Sequence, residues 1–165
     1  MRFAWGSTGN SRKYGGRDCV YMPGLDVRIT AHYGLAILRI VLGIAFAVHG
    51  WSKLSGGVDG VASFFGSLGI PAPTLIAWVV TIVELVGGLL LIAGALTQIV
   101  GILLFINMIG AIVYAYLGTG TPFIENGAIS WEKEAVFAAA ALCLVLSGPG
   151  AWSVDDVMAG SRERV

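Results

Sequence analysis

Charge is the scarcest property of this sequence. Only 12% of its 165 residues are Asp, Glu, Lys or Arg, about half the ~25% of an average soluble domain, which argues against a soluble globular protein. Lys+Arg and Asp+Glu both stand at 10, so the formal net charge is zero and no global field draws nucleic acid. Cysteine is nearly missing as well. Cys19 and Cys143 have no CxxC, CxxCH or zinc-type spacing, so each reads as a small apolar residue, reduced and distant from the other. His32 and His49 stand 17 residues apart, about 25 Å along a helix, and cannot share one haem iron within a protomer. Neither a Walker loop nor a Rossmann glycine fingerprint is present. These absences leave no metal site and no covalently or metal-bound cofactor to expect.

What is there is apolar: 56% hydrophobic residues, 24 glycines and a mean hydropathy of +0.82. A membrane-crossing helix needs about 20 mostly apolar residues. Stretches at about 34–54, 73–94 and 96–117 meet that length. A fourth at 133–147 is shorter, leans on Trp131 and Trp152 as interfacial anchors, and ends at Gly148-Pro149-Gly150. The pattern predicts an all-α integral membrane protein with a four-transmembrane-helix bundle over residues 34–152. In the first outer loop Val58, Val61, Phe64 and Phe65 recur at helical spacing, which predicts a short amphipathic helix lying on the membrane surface. Residues 1–33 lack the apolar core of a cleaved signal and read as an N-terminal extension; residues 153–165 read as a short tail. Arg2, Arg12, Lys13, Arg17, Arg28, Arg162 and Arg164 fall on the side of the termini, against Lys53 and Lys133 opposite. The positive-inside rule then places both termini in the cytoplasm.

Within the spans the residues that bear chemistry are Arg39, Glu84 and Asn107. Charges in hydrocarbon are functional suspects by default. Arg39 shares a stripe with Gly43, Phe46, Gly50 and Lys53, and Glu84 shares one with Thr81, Gly87 and Gly88. An Arg39–Glu84 pair, with Asn107 at similar depth, would satisfy both charges. It would serve as a structural clamp, or as a proton-handling or ligand-binding group. A second cluster gathers near the outer surface: His49, Trp51 and Lys53 with Glu132 and Glu134. These residues suit a quinone carbonyl or an anionic lipid headgroup. They equally suit interfacial anchoring by Trp51, a snorkelling Lys53 and a helix N-terminus at Glu134. The extension carries Trp5, Tyr14, Tyr21 and Tyr33. Aromatics are unusual in a disordered tail, and they suit docking on a partner protein or resting on anionic lipid.

Several of these residues form an ordered series of motifs. They are Arg39-x-x-x-Gly43, His49-Gly50-x-x-Lys53-Leu54, Leu68-Gly69-Ile70-Pro71, Val83-Glu84-Leu85-Val86-Gly87-Gly88 and Gly148-Pro149-Gly150-x-x-Ser153-x-Asp155. In this order the chain resembles the DoxX family of small four-span bacterial membrane proteins, from about Leu38 to Asp155. The resemblance implies a helical bundle in the bacterial inner membrane and an association with redox physiology. One relative is a subunit of a thiosulfate:quinone oxidoreductase, and others are linked to complexes that handle thiols, sulfur species or superoxide. Arg39, His49, Lys53 and Glu84 carry over as motif positions without an assigned catalytic role. Three functions fit. The first is an accessory subunit of a larger respiratory, photosynthetic or other redox complex, docked through residues 1–33 and its span faces. The second is a quinone-binding subunit of an oxidoreductase. The third is a small-solute or proton transporter, which Glu84 at mid-span keeps open although no inverted repeat is visible.

Overall fold

The computed structural model describes residues 27–125 and 127–162; Trp5, Tyr14 and Tyr21 lie outside them. The chain is mostly helical. Helix α1 (Val27–Gly56) is followed by α2 (Val58–Ser67), α3 (Pro73–Ala93) and α4 (Thr97–Ala111), which runs on into a π-helix (Ile112–Leu117). Two short strands, β1 (Ile124–Glu125) and β2 (Ala128–Ile129), pair antiparallel, and α5 (Glu132–Ser147) and α6 (Val154–Arg162) close the chain. The helix limits follow local chemistry. Gly57 at φ 95° separates α1 from α2, Pro73 occupies the first turn of α3, and Gly94 at φ 70° ends it.

Polarity in the bundle is inverted relative to a soluble protein. Arg39, Thr81, Glu84, Thr97 and Glu134 are buried, whereas Ile37, Val41, Leu75, Ile106, Val136 and Leu146 face outward. Such an arrangement is stable only where the surrounding medium is itself apolar. Residues Ala31–Gly56, Pro73–Ala93 and Thr97–Leu117 are long and apolar enough to cross a membrane. The sixteen residues of α5 reach about 24 Å, short of the ~30 Å hydrocarbon layer. Even so, α5 completes the interior: its Ala138, Ala141 and Leu144 pack with Leu42, Phe46, Leu91 and Leu104 in one core.

Helices α1 and α3 approach at backbone distance. A Cβ on Gly43 would come 2.7 Å from the Gly88 carbonyl oxygen, and one on Gly88 would meet the Gly43 carbonyl at 2.6 Å. Small residues permit this contact, and the contact fixes the register. Gly50 stands against Leu85, and Arg39 stands level with Gly94, whose Cβ would sit 2.8 Å from the guanidinium. Helix α2 seats Val58 and Ala62 on Ala77 of α3, roofing the end of the bundle where α1 finishes and α3 begins.

Two boundaries differ from the sequence reading. Residues 27–33 belong to α1, so the extension ends before them, and the Tyr33 ring packs at a tilt against that of Trp152, 5.1 Å between centroids. The segment after Gly150 is not a free tail. Ser153 is buried, the Asp155 amide donates to Gly94 O, and the Ala151 amide donates to His32 O. Asp155 is the reason, because its carboxylate accepts the Leu96 and Thr97 amides at 2.8 and 2.9 Å. Those amides begin α4 and have no partner within the helix. Leu96 adopts φ 53°, which turns the two consecutive N–H groups toward one anion.

Candidate functional site

Glu84, halfway along α3, is buried among three helices. Its Oε2 accepts from the Lys53 ammonium of α1, and its Oε1 accepts from Asn107 Nδ2 of α4 at 2.9 Å. The side chain of Glu84 is 3% exposed, that of Lys53 26%. A buried carboxylate is tolerable only with this kind of pairing.

The expected Arg39–Glu84 pair does not form. Arg39 lies at the other end of the bundle, where Nη1 donates to Pro149 O at 2.5 Å and Nη2 to Trp152 O at 3.0 Å. The cause is register combined with side-chain direction. The span limits read from sequence set Arg39 beside residue 89, whereas the Gly43–Gly88 contact sets it near residue 92, about one turn further from Glu84. Helical side chains also lean toward the helix N-terminus. On α1 that tilt carries Arg39 away from Glu84 and brings Lys53, from the C-terminal end of the helix, back onto it. Burial works against the Asp155 carboxyl ionising. The Thr97 and Leu96 amides and the charge of Arg39 outweigh that and hold its pKa below the ordinary carboxylate value.

A cavity of about 730 Å³ opens beside Glu84, within the size range of small-molecule sites. Most of its wall is apolar, including Phe64 and Phe65 of α2, Val80 of α3 and Ile106 of α4. Polar groups stand in two places. One is the Lys53–Glu84–Asn107 cluster. The other is Glu134 at the start of α5, whose Oε1 accepts from the Tyr116 hydroxyl at 3.2 Å and lies 3.4 Å from Lys133 Nζ. Glu134 Oε2 is buried without a hydrogen-bond partner among the described residues, a condition that costs about 1–3 kcal/mol unless something donates to it. The π-helix supplies Tyr114 and Tyr116 to this wall. π-Turns widen a helix and recur at functional sites.

The sequence-predicted residues divide accordingly. Lys53, Glu84, Asn107 and Glu134 come together on the cavity. His49 turns to the α1–α5 side, its Nδ1 donating to Ala45 O at 3.0 Å and its ring 6.1 Å from that of Phe137. Trp51 is 61% exposed and does not line the cavity. Tyr116 and the phenylalanines of α2 were not singled out as site residues. The spacing of Phe64 and Phe65 signals an apolar face but not which side covers it, and no periodicity announces a π-turn.

A family model described as DoxX matches residues 34–117, from the first turns of α1 to the end of the π-helix. The chain belongs to the DoxX family. Among its relatives, "Putative oxidoreductase CatD" of Bacillus subtilis (strain 168) is 37% identical over 122 residues, covering 74% of this chain and 84% of that one. Inner membrane protein YphA of Escherichia coli (strain K12) is 30% identical over 123 residues, covering 73% and 87%. A membrane protein of Mycobacterium tuberculosis is 33% identical over 125 residues, covering 72% and 77%. No solved structure matches. The DoxX match takes in Arg39, Lys53, Glu84, Asn107 and Tyr116; Glu134 and the Arg39 partners Pro149 and Trp152 lie beyond it.

Proposed function

We propose that this DoxX protein is a quinone-binding subunit of a bacterial inner-membrane redox complex. It crosses the bilayer four times with both termini cytoplasmic, and α2 lies at the outer surface. The observation that carries the reading is the cavity of about 730 Å³ with the Lys53–Glu84–Asn107 cluster in its wall. A membrane quinone is a flat apolar ring with two carbonyl oxygens on an isoprenoid tail. The ammonium of Lys53 keeps N–H groups beyond the one given to Glu84, and Asn107 keeps a second amide N–H. Either can donate to a ring oxygen, while Phe64, Phe65, Val80 and Ile106 accept the apolar remainder. Quinone chemistry moves electrons that another chain must supply or take up, so the protein works beside a partner subunit. The oxidoreductase name carried by the Bacillus relative is compatible with this role.

Gentle purification from native membranes, followed by solvent extraction and mass spectrometry, tests it. The expected result is an isoprenoid quinone near one per protein, together with larger subunits. Lys53→Met weakens binding of a short-chain quinone by about tenfold or more, since a hydrogen bond to a charged donor contributes ~1.5–3 kcal/mol. Absence of bound quinone, with no titratable quinone binding by the purified protein, would overturn the reading.

A further inference from the structure

The cavity accommodates hydrogen-bond donors and acceptors unequally. At the Lys53–Glu84–Asn107 pole each Glu84 oxygen already accepts one hydrogen bond, and Lys53 and Asn107 keep N–H donors to spare. At the second pole the situation is reversed. Glu134 Oε1 holds the Tyr116 hydroxyl and the Lys133 ammonium nearby, while Oε2 is buried and has no hydrogen-bond donor among the described residues. A carboxylate oxygen accepts hydrogen bonds and does not donate them. Glu134 as a whole is 7% exposed and lines the cavity wall. A ligand that accepts a hydrogen bond at the first pole and donates one to Oε2 at the second satisfies both.

A quinone cannot donate, because its two ring oxygens are both carbonyls. Its two-electron-reduced form can, because each oxygen is then a hydroxyl that donates and accepts. We propose that Glu134 makes the cavity selective for the reduced, dihydroxy-aromatic form of its ligand, accepting a hydrogen bond from a quinol hydroxyl on Oε2 while Lys53 or Asn107 donates to the other ring oxygen. This rests on the quinone-binding reading and adds the oxidation state that is held. A buried acceptor that one ligand satisfies and its analogue leaves unpaired discriminates strongly between the two.

The test uses the full-length protein in lipid nanodiscs under anaerobic conditions. It compares the affinities of a short-chain para-quinone, the same compound reduced to the quinol, and the dimethyl ether of that quinol. Wild type binds the quinol about tenfold tighter than the quinone, and the ether, which has lost its donors, no tighter than the quinone. Glu134→Gln erases or reverses the preference, since the amide can turn its N–H to a quinone carbonyl. Tyr116→Phe retains the preference, because the carboxylate is still present. Equal wild-type affinities for quinol and quinone would overturn the selectivity and leave the quinone-binding reading standing. A preference that survives Glu134→Gln would remove Glu134 from the role. Failure of all three compounds to bind would overturn the selectivity and the cavity reading together.

Discussion

The two ends of the bundle solve the same problem in opposite ways. At one end Arg39 is almost wholly buried, and backbone carbonyls at Pro149 and Trp152 take its charge. Asp155 faces it electrostatically while binding the two amides that open α4. Every part of that arrangement ties one chain segment to another. At the other end Lys53, Glu84 and Asn107 bind one another through side chains alone, leave spare donors, and border a cavity of about 730 Å³. Backbone partners make a lock. Side-chain partners with surplus donors, next to space, make a site. The comparison predicts that damage at the first end appears as lost stability, and damage at the second chiefly as lost binding.

The sharpest way to break this distinction is Arg39→Met. It keeps the apolar stem but strands the Pro149 and Trp152 carbonyls and removes the positive charge near Asp155. Removing one member of a buried charged network costs about 3–5 kcal/mol. Thermal unfolding in mild detergent should show that loss as a large fall in Tm, with quinone affinity unchanged at temperatures where the variant stays folded. Next in size is Glu84→Gln. Lys53 is partly exposed and can relax toward solvent, so the cost falls to ~1–3 kcal/mol, while quinone binding drops by tenfold or more. Equal binding losses in the two variants would erase the distinction between lock and site.

The helical architecture was legible in the sequence because membrane hydrocarbon imposes a simple rule of length and apolarity. Helices stand at the apolar stretches beginning near Gly34, Pro73, Leu96 and Lys133. The site was legible in membership and not in pairing. Glu84, Asn107, Lys53 and Glu134 stand out because polar groups within apolar runs are conspicuous. Which cation meets Glu84 depends on the sliding register of α1 against α3, and Gly43, Gly50 and Gly88 set that register through backbone contact. No one-dimensional pattern encodes it, although the N-terminal lean of helical side chains already favours Lys53 over Arg39. The folding back of the C-terminal segment is similarly hidden. Asp155 caps a helix that starts nearly 60 residues earlier, and capping patterns read from sequence are local.

That long-range cap supplies a pH test of the first end. Because its pKa is held below the ordinary value in the folded protein, Asp155 contributes stability that is complete above the unfolded carboxylate value. The contribution is lost as pH falls through the lower folded value. Wild-type Tm in detergent should therefore decline more steeply than that of Asp155→Asn as the pH is taken from neutral into that acid range. Asp155→Ala, which removes the cap at any pH, should cost about 0.5–2 kcal/mol at neutral pH. Parallel pH profiles for wild type and Asp155→Asn would show that the carboxylate adds nothing to the lock.

The smallest expected effects belong to residues that the sequence placed beside the site and the fold directs elsewhere. Trp51 faces outward, and His49 packs edge-on to Phe137 with its Nδ1 engaged by Ala45. Trp51→Ala should leave both quinone affinity and Tm nearly unchanged, since an exposed side chain away from special features shifts stability by only ~0.5 kcal/mol. His49→Ala should lower Tm modestly by opening space beside Phe137, with quinol and quinone affinities within about twofold of wild type. A tenfold binding loss in His49→Ala would mean that the ligand enters on the α1–α5 side. The cavity under α2 would then no longer be the site, and the contrast between the two ends of the bundle would have to be drawn across its width instead of along its length.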